Sequence, residues 1–233
     1  MILLLNMYGP LQSYGIYSRH LIRYTDRMPT KSAVVGMLCA ALGINSRTER
    51  FSPIKLLDLI NLKMAIRLDR PGTLLTDFHT IQDVALVGTP QNKCDSIKKS
   101  THQQVVVTKR QYIQDAQFLV ALQGPKEVLT AVVSALDNPK WFLSLGRKSC
   151  PVPPDMVVGL YEDDDICSFL ASQPWQRWGR GEKVPSQLEI VVESNRGEIK
   201  QDVTLSLNRP KRYGIRHVEH HMVELNLDMV VEV

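Results

Sequence analysis

The sequence predicts an α+β fold, and the order of its apolar segments is the reason. Short apolar runs bounded by turn residues, at residues 2–5 and 118–122, are typical of buried strands. Segments with helical character lie at residues 33–42 and 127–136. The first 150 residues therefore run strand, helix, strand, excursion, strand, helix, strand. That order is close to the β-α-β-β-α-β order of the ferredoxin-like fold, which the RRM shares.

The first strand and the first helix have recognisable local ends. Glycine, proline and serine at residues 9–15 predict an irregular loop after the first strand. Thr30 or Ser32 can serve as the helix N-cap, and Gly43 fits the position that ends the helix. Pro125 is expected at the first position of the second long helix. The remaining elements follow from the same periodicities: a short helix at residues 56–62 and strands at residues 63–69 and 141–145.

Residues 77–108 differ from the rest of the chain. They are polar, contain Gly88 and Pro90, and hold few large apolar side chains. Since a structureless loop of this length is uncommon in a compact domain, we interpret the segment as an excursion from the core, built as a long hairpin. Prolines at 151, 153 and 154 mark a boundary. We expect a ferredoxin-like domain over residues 1–153 and a small β-rich C-terminal region over residues 154–233.

Composition excludes several classes of protein. The 233 residues carry a net charge of only +4, with 44% apolar and 22% charged residues, as in a soluble globular protein. The four cysteines have no C-x-x-C spacing, so we expect reduced thiols in a cytoplasmic protein and no zinc site. No run reaches the length of a membrane span, and glycine motifs for dinucleotides or a P-loop are missing, so no cofactor is expected.

Basic and polar residues are concentrated in a few clusters that suit RNA. The loop at residues 9–15 offers backbone that a ligand can approach closely, and the start of the first helix offers N–H groups to an anion. Cations recur every four residues before that helix, and a basic turn follows residue 145. A fourth cluster spans residues 209–217. The candidates in the first three clusters are Gln12, Ser13 and Tyr14; Arg19, Arg23, Arg27, Lys31 and Ser32; and Arg147, Lys148 and Ser149.

Placement in the predicted fold separates the loop from the basic turn. The loop follows the first strand, and the turn follows a strand predicted at residues 141–145. Those two strands are antiparallel neighbours in the usual 4-1-3-2 order of the ferredoxin-like fold. The loop and the turn should then emerge at opposite ends of the sheet, so the sequence predicts an RNA track across the domain and no single pocket.

Two other functions stay open from the residues alone: a metal-independent ribonuclease, and an interaction protein without RNA contact. His79 could act as a general base beside Tyr112 or Lys109, as a metal-independent ribonuclease would require. His217, His220 and His221 would point to opposite faces of a strand, so no metal site is expected. The basic clusters could instead face acidic protein partners without any contact to RNA.

Five ordered motifs carry a resemblance to a known family. The chain resembles Cas family five of the RAMP superfamily, in the CasD-type form found in type I-E CRISPR Cascade complexes. The match runs from the N-terminus to about residue 154 and weakens beyond it. The motifs are GPLQSYG at residues 9–15, PTKSAVVG at 29–36, DFHT at 77–80, RQYIQDAQF at 110–118 and LGRKSCP at 145–151.

The resemblance implies a non-catalytic subunit that caps the 5′ handle of CRISPR RNA. It implies contacts with the large subunit CasA and the backbone subunit CasC, and contact with target DNA only through the complex. A separate CasE subunit cuts the precursor in type I-E systems, so no nuclease activity is expected. The excursion would be a thumb that pins the RNA. From the resemblance, five further residues become candidates for RNA binding: His79, Lys98, Lys99, Arg110 and Tyr112.

Overall fold

The computed structural model describes residues 1–16, 18–19, 21–81, 106–179, 181–208 and 211–232. The helices are α1 (Lys31–Leu42), α2 (Leu56–Ile60), α3 (Lys126–Asp137) and α4 (Ile166–Ser172), with 3-10 turns at Glu49–Phe51 and Leu227–Met229. The strands are β1 (Ile2–Gln12), β2 (Ser18–Arg19), β3 (Ile22–Arg23), β4 (Lys63–Arg70), β5 (Thr73–Ile81), β6 (Val106–Gln123), β7 (Val157–Tyr161), β8 (Trp175–Arg177), β9 (Gln187–Ser194), β10 (Glu198–Thr204), β11 (Tyr213–Glu224) and β12 (Val230–Glu232).

One large, mainly antiparallel sheet organises the described residues, so the mixed α and β prediction is confirmed. Its main path runs β10-β11-β9-β4-β6-β1-β7, and β5 and β3 also pair with β6. Strands from both sides of the predicted boundary near residue 153 belong to this sheet, and that boundary stays a prediction. β8 and β12 form a separate parallel pair. None of the described helices is long and apolar enough to cross a membrane.

The apolar run at residues 2–5 is buried because helices cover both faces of the sheet. Leu3 and Leu5 pack in the larger core with α1, α2 and α3. Ile2 and Leu4 point to the other face and pack against α4. Alternate side chains of a strand point to opposite faces, so a strand covered on both faces reads as a continuous apolar run.

The ends of α1 are where the sequence places them. Thr30 is the N-cap, and its hydroxyl accepts a hydrogen bond from the Ala33 N–H. Gly43 ends the helix with φ +72°, a left-handed conformation that glycine adopts without steric cost. Pro125 lies one position earlier than predicted, as the N-cap of α3.

Two predictions of local structure near the candidate site are wrong, a loop and a strand. Residues 9–12 are not an irregular loop, because β1 continues to Gln12 and pairs there with Ile113. Residues 141–145 are not a strand: the N–H groups of Lys140 and Trp141 bond to carbonyls at the end of α1, which holds this segment at the helix. The place beside β1 is taken by the later strand β7.

The described ends of the predicted excursion form a hairpin. β5 and β6 pair antiparallel from Thr73↔Gln114 to Ile81↔Val106. The turn between β4 and β5 holds Gly72 at φ +66°, where a Cβ would lie 2.3 Å from the Gln114 carbonyl oxygen. Lys98 and Lys99 lie outside the described residues.

Candidate nucleic-acid interface

The loop after β1 and the basic turn lie against each other. The Ser13 N–H donates to the Leu145 carbonyl over 3.1 Å. Gly146, at φ +87°, packs on the Ser13 backbone. Hydrogen bonds between Leu145 and Cys150 and between Cys150 and Arg147 close the turn. The prediction that loop and turn emerge at opposite ends of the sheet is therefore wrong, because it rested on a strand at residues 141–145 that does not form.

The polar side chains of the loop fix its shape and are not exposed. Gln12 and Tyr14 are both fully buried. Gln12 Nε2 donates to the Ala116 carbonyl over 2.7 Å, and the Tyr14 hydroxyl donates to Gln12 Oε1 over 2.5 Å. Ser13 Oγ donates to the Gln111 carbonyl over 2.9 Å. Burial raises the pKa of Tyr14 well above its usual value. The interpretation of these side chains as readers of RNA bases does not fit their positions.

Arg147 is held in place from two sides. Its guanidinium lies over the Tyr112 ring, 4.8 Å from the centroid, and Nη2 donates to the Arg23 carbonyl over 3.1 Å. Nη1 is buried and has no hydrogen-bond partner among the described residues. A stacked guanidinium with an unused N–H group suits an anion that approaches from outside the chain.

Further arginines stand beside Arg147 on neighbouring strands. Arg110 of β6 is the register partner of Arg23 in β3 and of Asp77 in β5. Arg110 Nε is a second buried atom without a hydrogen-bond partner in the described parts of the chain. We name Arg23, Arg110 and Arg147 the arginine cluster. Sequence reasoning marked each of them but missed the pairing of β3 with β6, which sets Arg23 opposite Arg110 and has no local signal.

The other predicted cations differ in their surroundings. Arg27 and Lys148 are exposed, as is the neutral Ser149 of the basic turn, and Arg19 lies in β2. Lys31 is only 5% exposed: its Nζ contacts Glu193 over 2.8 Å and the Leu62 carbonyl over 2.9 Å. The assignment of Lys31 to RNA is therefore corrected to a structural ion pair.

The start of α1 is occupied by a carboxylate of the same chain. Asp202 Oδ2 accepts a hydrogen bond from the Lys31 N–H over 2.8 Å. Ser32 is half-buried, with its hydroxyl 3.2 Å from that of Thr30. The expected anion site at this helix terminus is thus filled by Asp202, which no local sequence pattern indicates.

Comparisons with known proteins now decide the family. The family model described as CRISPR-associated protein (Cas_Cas5) matches residues 2–219. The chain belongs to this family.

Relatives of this Cas5-family chain agree with the assignment. It is 29% identical to "CRISPR system Cascade subunit CasD" of Escherichia coli (strain K12) over 175 residues, which cover 70% of this chain and 72% of the relative. A chain of a solved "CRISPR RNA-guided surveillance complex" has a TM-score of 0.76 and 27% identity, over 99% of this chain and 93% of that chain. A structure titled "Crystal structure of Cas protein" has a TM-score of 0.72 and 31% identity, over 96% and 95%.

The candidate nuclease residues of the Cas5-family chain do not form one constellation. Lys109 lies 5.1 Å from the Phe78 ring, while the Tyr112 ring is buried beneath Arg147. His79 pairs with Asp77. Adjacent residues of a strand point to opposite faces, so Lys109 lies on the face opposite to that of Arg110 and Tyr112. Among the described residues, no group of three or more His, Cys, Asp and Glu side chains could hold a metal ion.

The fourth basic cluster of the chain divides into structural and free cations. Arg216 is paired with Asp202 over 2.7 Å and with Glu193 over 3.1 Å. Lys211 and Tyr213 are exposed, and Arg209 lies outside the described residues. Arg216 therefore stabilises the junction between α1 and the β9–β11 strands and is not available to a ligand.

Proposed function

We propose that this Cas5-family chain is a non-catalytic Cascade subunit that binds and caps the 5′ handle of CRISPR RNA. The proposal is carried by two buried arginine atoms of this surface, Arg110 Nε and Arg147 Nη1, which have no hydrogen-bond partner among the described residues. A buried donor without a partner costs about 1–3 kcal/mol. RNA phosphates would supply the missing acceptors, and arginine binds phosphate with well-defined geometry.

The fold supports a ferredoxin-like core of the RAMP type. The central strands β7, β1, β6 and β4 are neighbours in that order and antiparallel. Numbered along the chain as four core strands, they have the 4-1-3-2 order, with α1 and α3 in the two connections. Fold alone does not establish RNA binding, so the proposal depends on the arginine cluster.

The proposed contacts fall into three groups. The arginine cluster neutralises phosphates together with exposed Arg27 and Lys148, and the Ser149 hydroxyl donates a hydrogen bond to a phosphate. The loop after β1, at residues 13–15, acts by positioning the turn. We also propose RNA contacts for Arg19 and His79, and for Lys98 and Lys99, which lie outside the described residues.

The proposed partners follow from the relatives. One relative is named a Cascade subunit and one solved relative belongs to an RNA-guided surveillance complex. We therefore propose that this chain assembles in the cytoplasm with CRISPR RNA, a CasA-type large subunit and a CasC-type backbone subunit. Target DNA would be met only through the complex.

The test is to purify the tagged full-length chain from cells with its CRISPR locus and to sequence the RNA that copurifies. The proposal expects CRISPR RNA whose 5′ repeat-derived end is protected from nuclease. RNA of random sequence, or no RNA, would contradict it.

The second candidate function, a metal-independent ribonuclease, has its own test. Purified protein is incubated with labelled repeat RNA in EDTA. We expect intact RNA. Cleavage that is lost in His79→Ala would overturn the non-catalytic assignment.

A further inference from the structure

A cavity of about 310 Å³ opens beside the loop and the basic turn. Its walls come from α1 and its N-cap, the loop after β1, the segment at residues 142–146, the end of β10 and the start of β11. Its volume is at the lower end of the range for small-molecule sites, roughly 300–1,000 Å³. The residues that matter here are Gly15, Ser32, Gly36, Gly146, Lys211 and Tyr213.

Gly36 is the most informative residue of this cavity. It lies inside α1, where glycine is about 0.5–1 kcal/mol less favourable than alanine. A Cβ built at Gly36 would meet no heavy atom within 4 Å, and the backbone there is not left-handed. The packing of the chain therefore does not require glycine at this position. What the missing side chain leaves is open space in the cavity.

The walls carry the chemistry of a nucleotide site. Lys211 supplies an exposed cation for a phosphate, and Tyr213, 41% exposed, supplies a ring on which a base can stack. Ser32 supplies a hydroxyl, and the glycines let the ligand approach the backbone closely.

The cavity adjoins the basic turn of the proposed RNA surface. Gly146 lines the cavity and directly precedes Arg147 of the arginine cluster. We infer that the cavity takes one unstacked nucleotide of the bound single-stranded RNA, with its base on Tyr213 and its phosphate at Lys211. The inference rests on the proposed function and adds to it a site that holds a single nucleotide of the strand.

The test uses the full-length chain and synthetic RNA that copies the 5′ end of the copurified CRISPR RNA. Gly36→Leu fills the cavity, and Gly36→Ala is its matched control. Tyr213→Ala removes the opposite wall, and Tyr213→Phe keeps the ring. Affinity is measured by fluorescence anisotropy for intact RNA and for a series with one abasic nucleotide at each position, and thermal melts check folding.

One abasic position should weaken binding to the wild-type protein by roughly tenfold, the scale of one stacked base. The Gly36→Leu and Tyr213→Ala variants should bind intact RNA as weakly as the wild-type protein binds RNA with that abasic position. In these variants the same abasic position should cause no further loss of affinity. Gly36→Ala and Tyr213→Phe should bind like wild type. If Gly36→Leu does not fold, the inference is tested by comparing Tyr213→Ala with Tyr213→Phe in their affinities for intact and abasic RNA.

Two outcomes overturn the inference while the proposed function stands. In the first, wild type binds RNA and the cavity variants bind it equally well. In the second, the cavity variants keep RNA affinity and lose assembly with the other Cascade subunits, which would assign the cavity to a protein partner. If wild type does not bind the RNA at all, the proposed function itself fails, and this inference fails with it.

Discussion

Gly146 lies directly on the backbone of Ser13: a Cβ added to Gly146 would stand 1.8 Å from the Ser13 carbonyl oxygen. The Ser13 N–H reaches the adjacent Leu145 carbonyl, so the two segments are joined at two consecutive residues. This contact fixes the basic turn relative to the end of β1. The position of Arg147 over Tyr112 follows from it.

A side chain at residue 146 should therefore disturb both stability and RNA binding. Gly146 has φ +87°, so Gly146→Ala adds about 1–3 kcal/mol of backbone strain and a collision with Ser13. We expect a loss of at least about 2 kcal/mol in the free energy of unfolding, measured by urea titration. Gly179→Ala is the control, because a Cβ there meets nothing within 4 Å. Equal stability of the two variants would show that the contact is not tight.

Lys31 should matter for folding and not for RNA. Its ammonium is buried against Glu193, and breaking a buried ion pair costs about 3–5 kcal/mol. Since Arg216 still pairs with Glu193, we expect Lys31→Met to lose about 3 kcal/mol, the lower end of that range. The salt dependence of RNA binding should stay as in wild type. A lower salt slope in Lys31→Met, compared with the exposed control Lys126→Met, would return Lys31 to the RNA site.

The acid side of the stability profile should depend on Glu182. Hydrogen bonds from Arg70 over 2.6 and 2.7 Å hold the pKa of the Glu182 carboxyl below its ordinary value. A carboxyl whose pKa is lowered by folding stabilises the protein above its unfolded-state pKa, and that stabilisation is lost as the pH falls through the lowered value. Glu182→Gln should lose stability at pH 7 and show a shallower decline below about pH 4.5.

Glu224→Gln removes an exposed carboxylate and serves as the control for that experiment. Urea unfolding from pH 7 to pH 3 gives the profile of each protein. If Glu182→Gln declines as steeply as Glu224→Gln, the Arg70–Glu182 pair does not contribute to acid stability.

The features that the sequence predicted well depend on local interactions. The caps of α1 involve Thr30 with Ala33 and Gly43 with the preceding turn, all within a few residues. The length of β1 and the identity of its outer neighbour depend on pairing with β6 and β7, which are distant in the chain. An apolar run at residues 141–145 resembles a strand locally, but its backbone bonds to the end of α1.

The difference between local and long-range interactions also separates the cations of the candidate site. Arg147 and Lys31 look alike in sequence, since each has few acids nearby. The acids that pair with the Lys31 region, Glu193 and Asp202, arrive from β9 and β10. Within the described parts of the chain, no acid bonds to Arg147 Nη1. Only the fold shows which cation is already neutralised.

The salt dependence of RNA binding tests the central claim most directly. Arg110→Gln combined with Arg147→Gln is compared with wild type and with Lys126→Gln combined with Lys140→Gln, which removes the same charge from exposed positions. Each phosphate contact to a single strand contributes about 0.7 to the slope of log affinity against log salt concentration. We predict that the arginine double variant loses about 1.4 from the magnitude of the wild-type slope, while the lysine double variant keeps it. An unchanged slope in the arginine double variant would contradict the assignment of the arginine cluster to RNA phosphates.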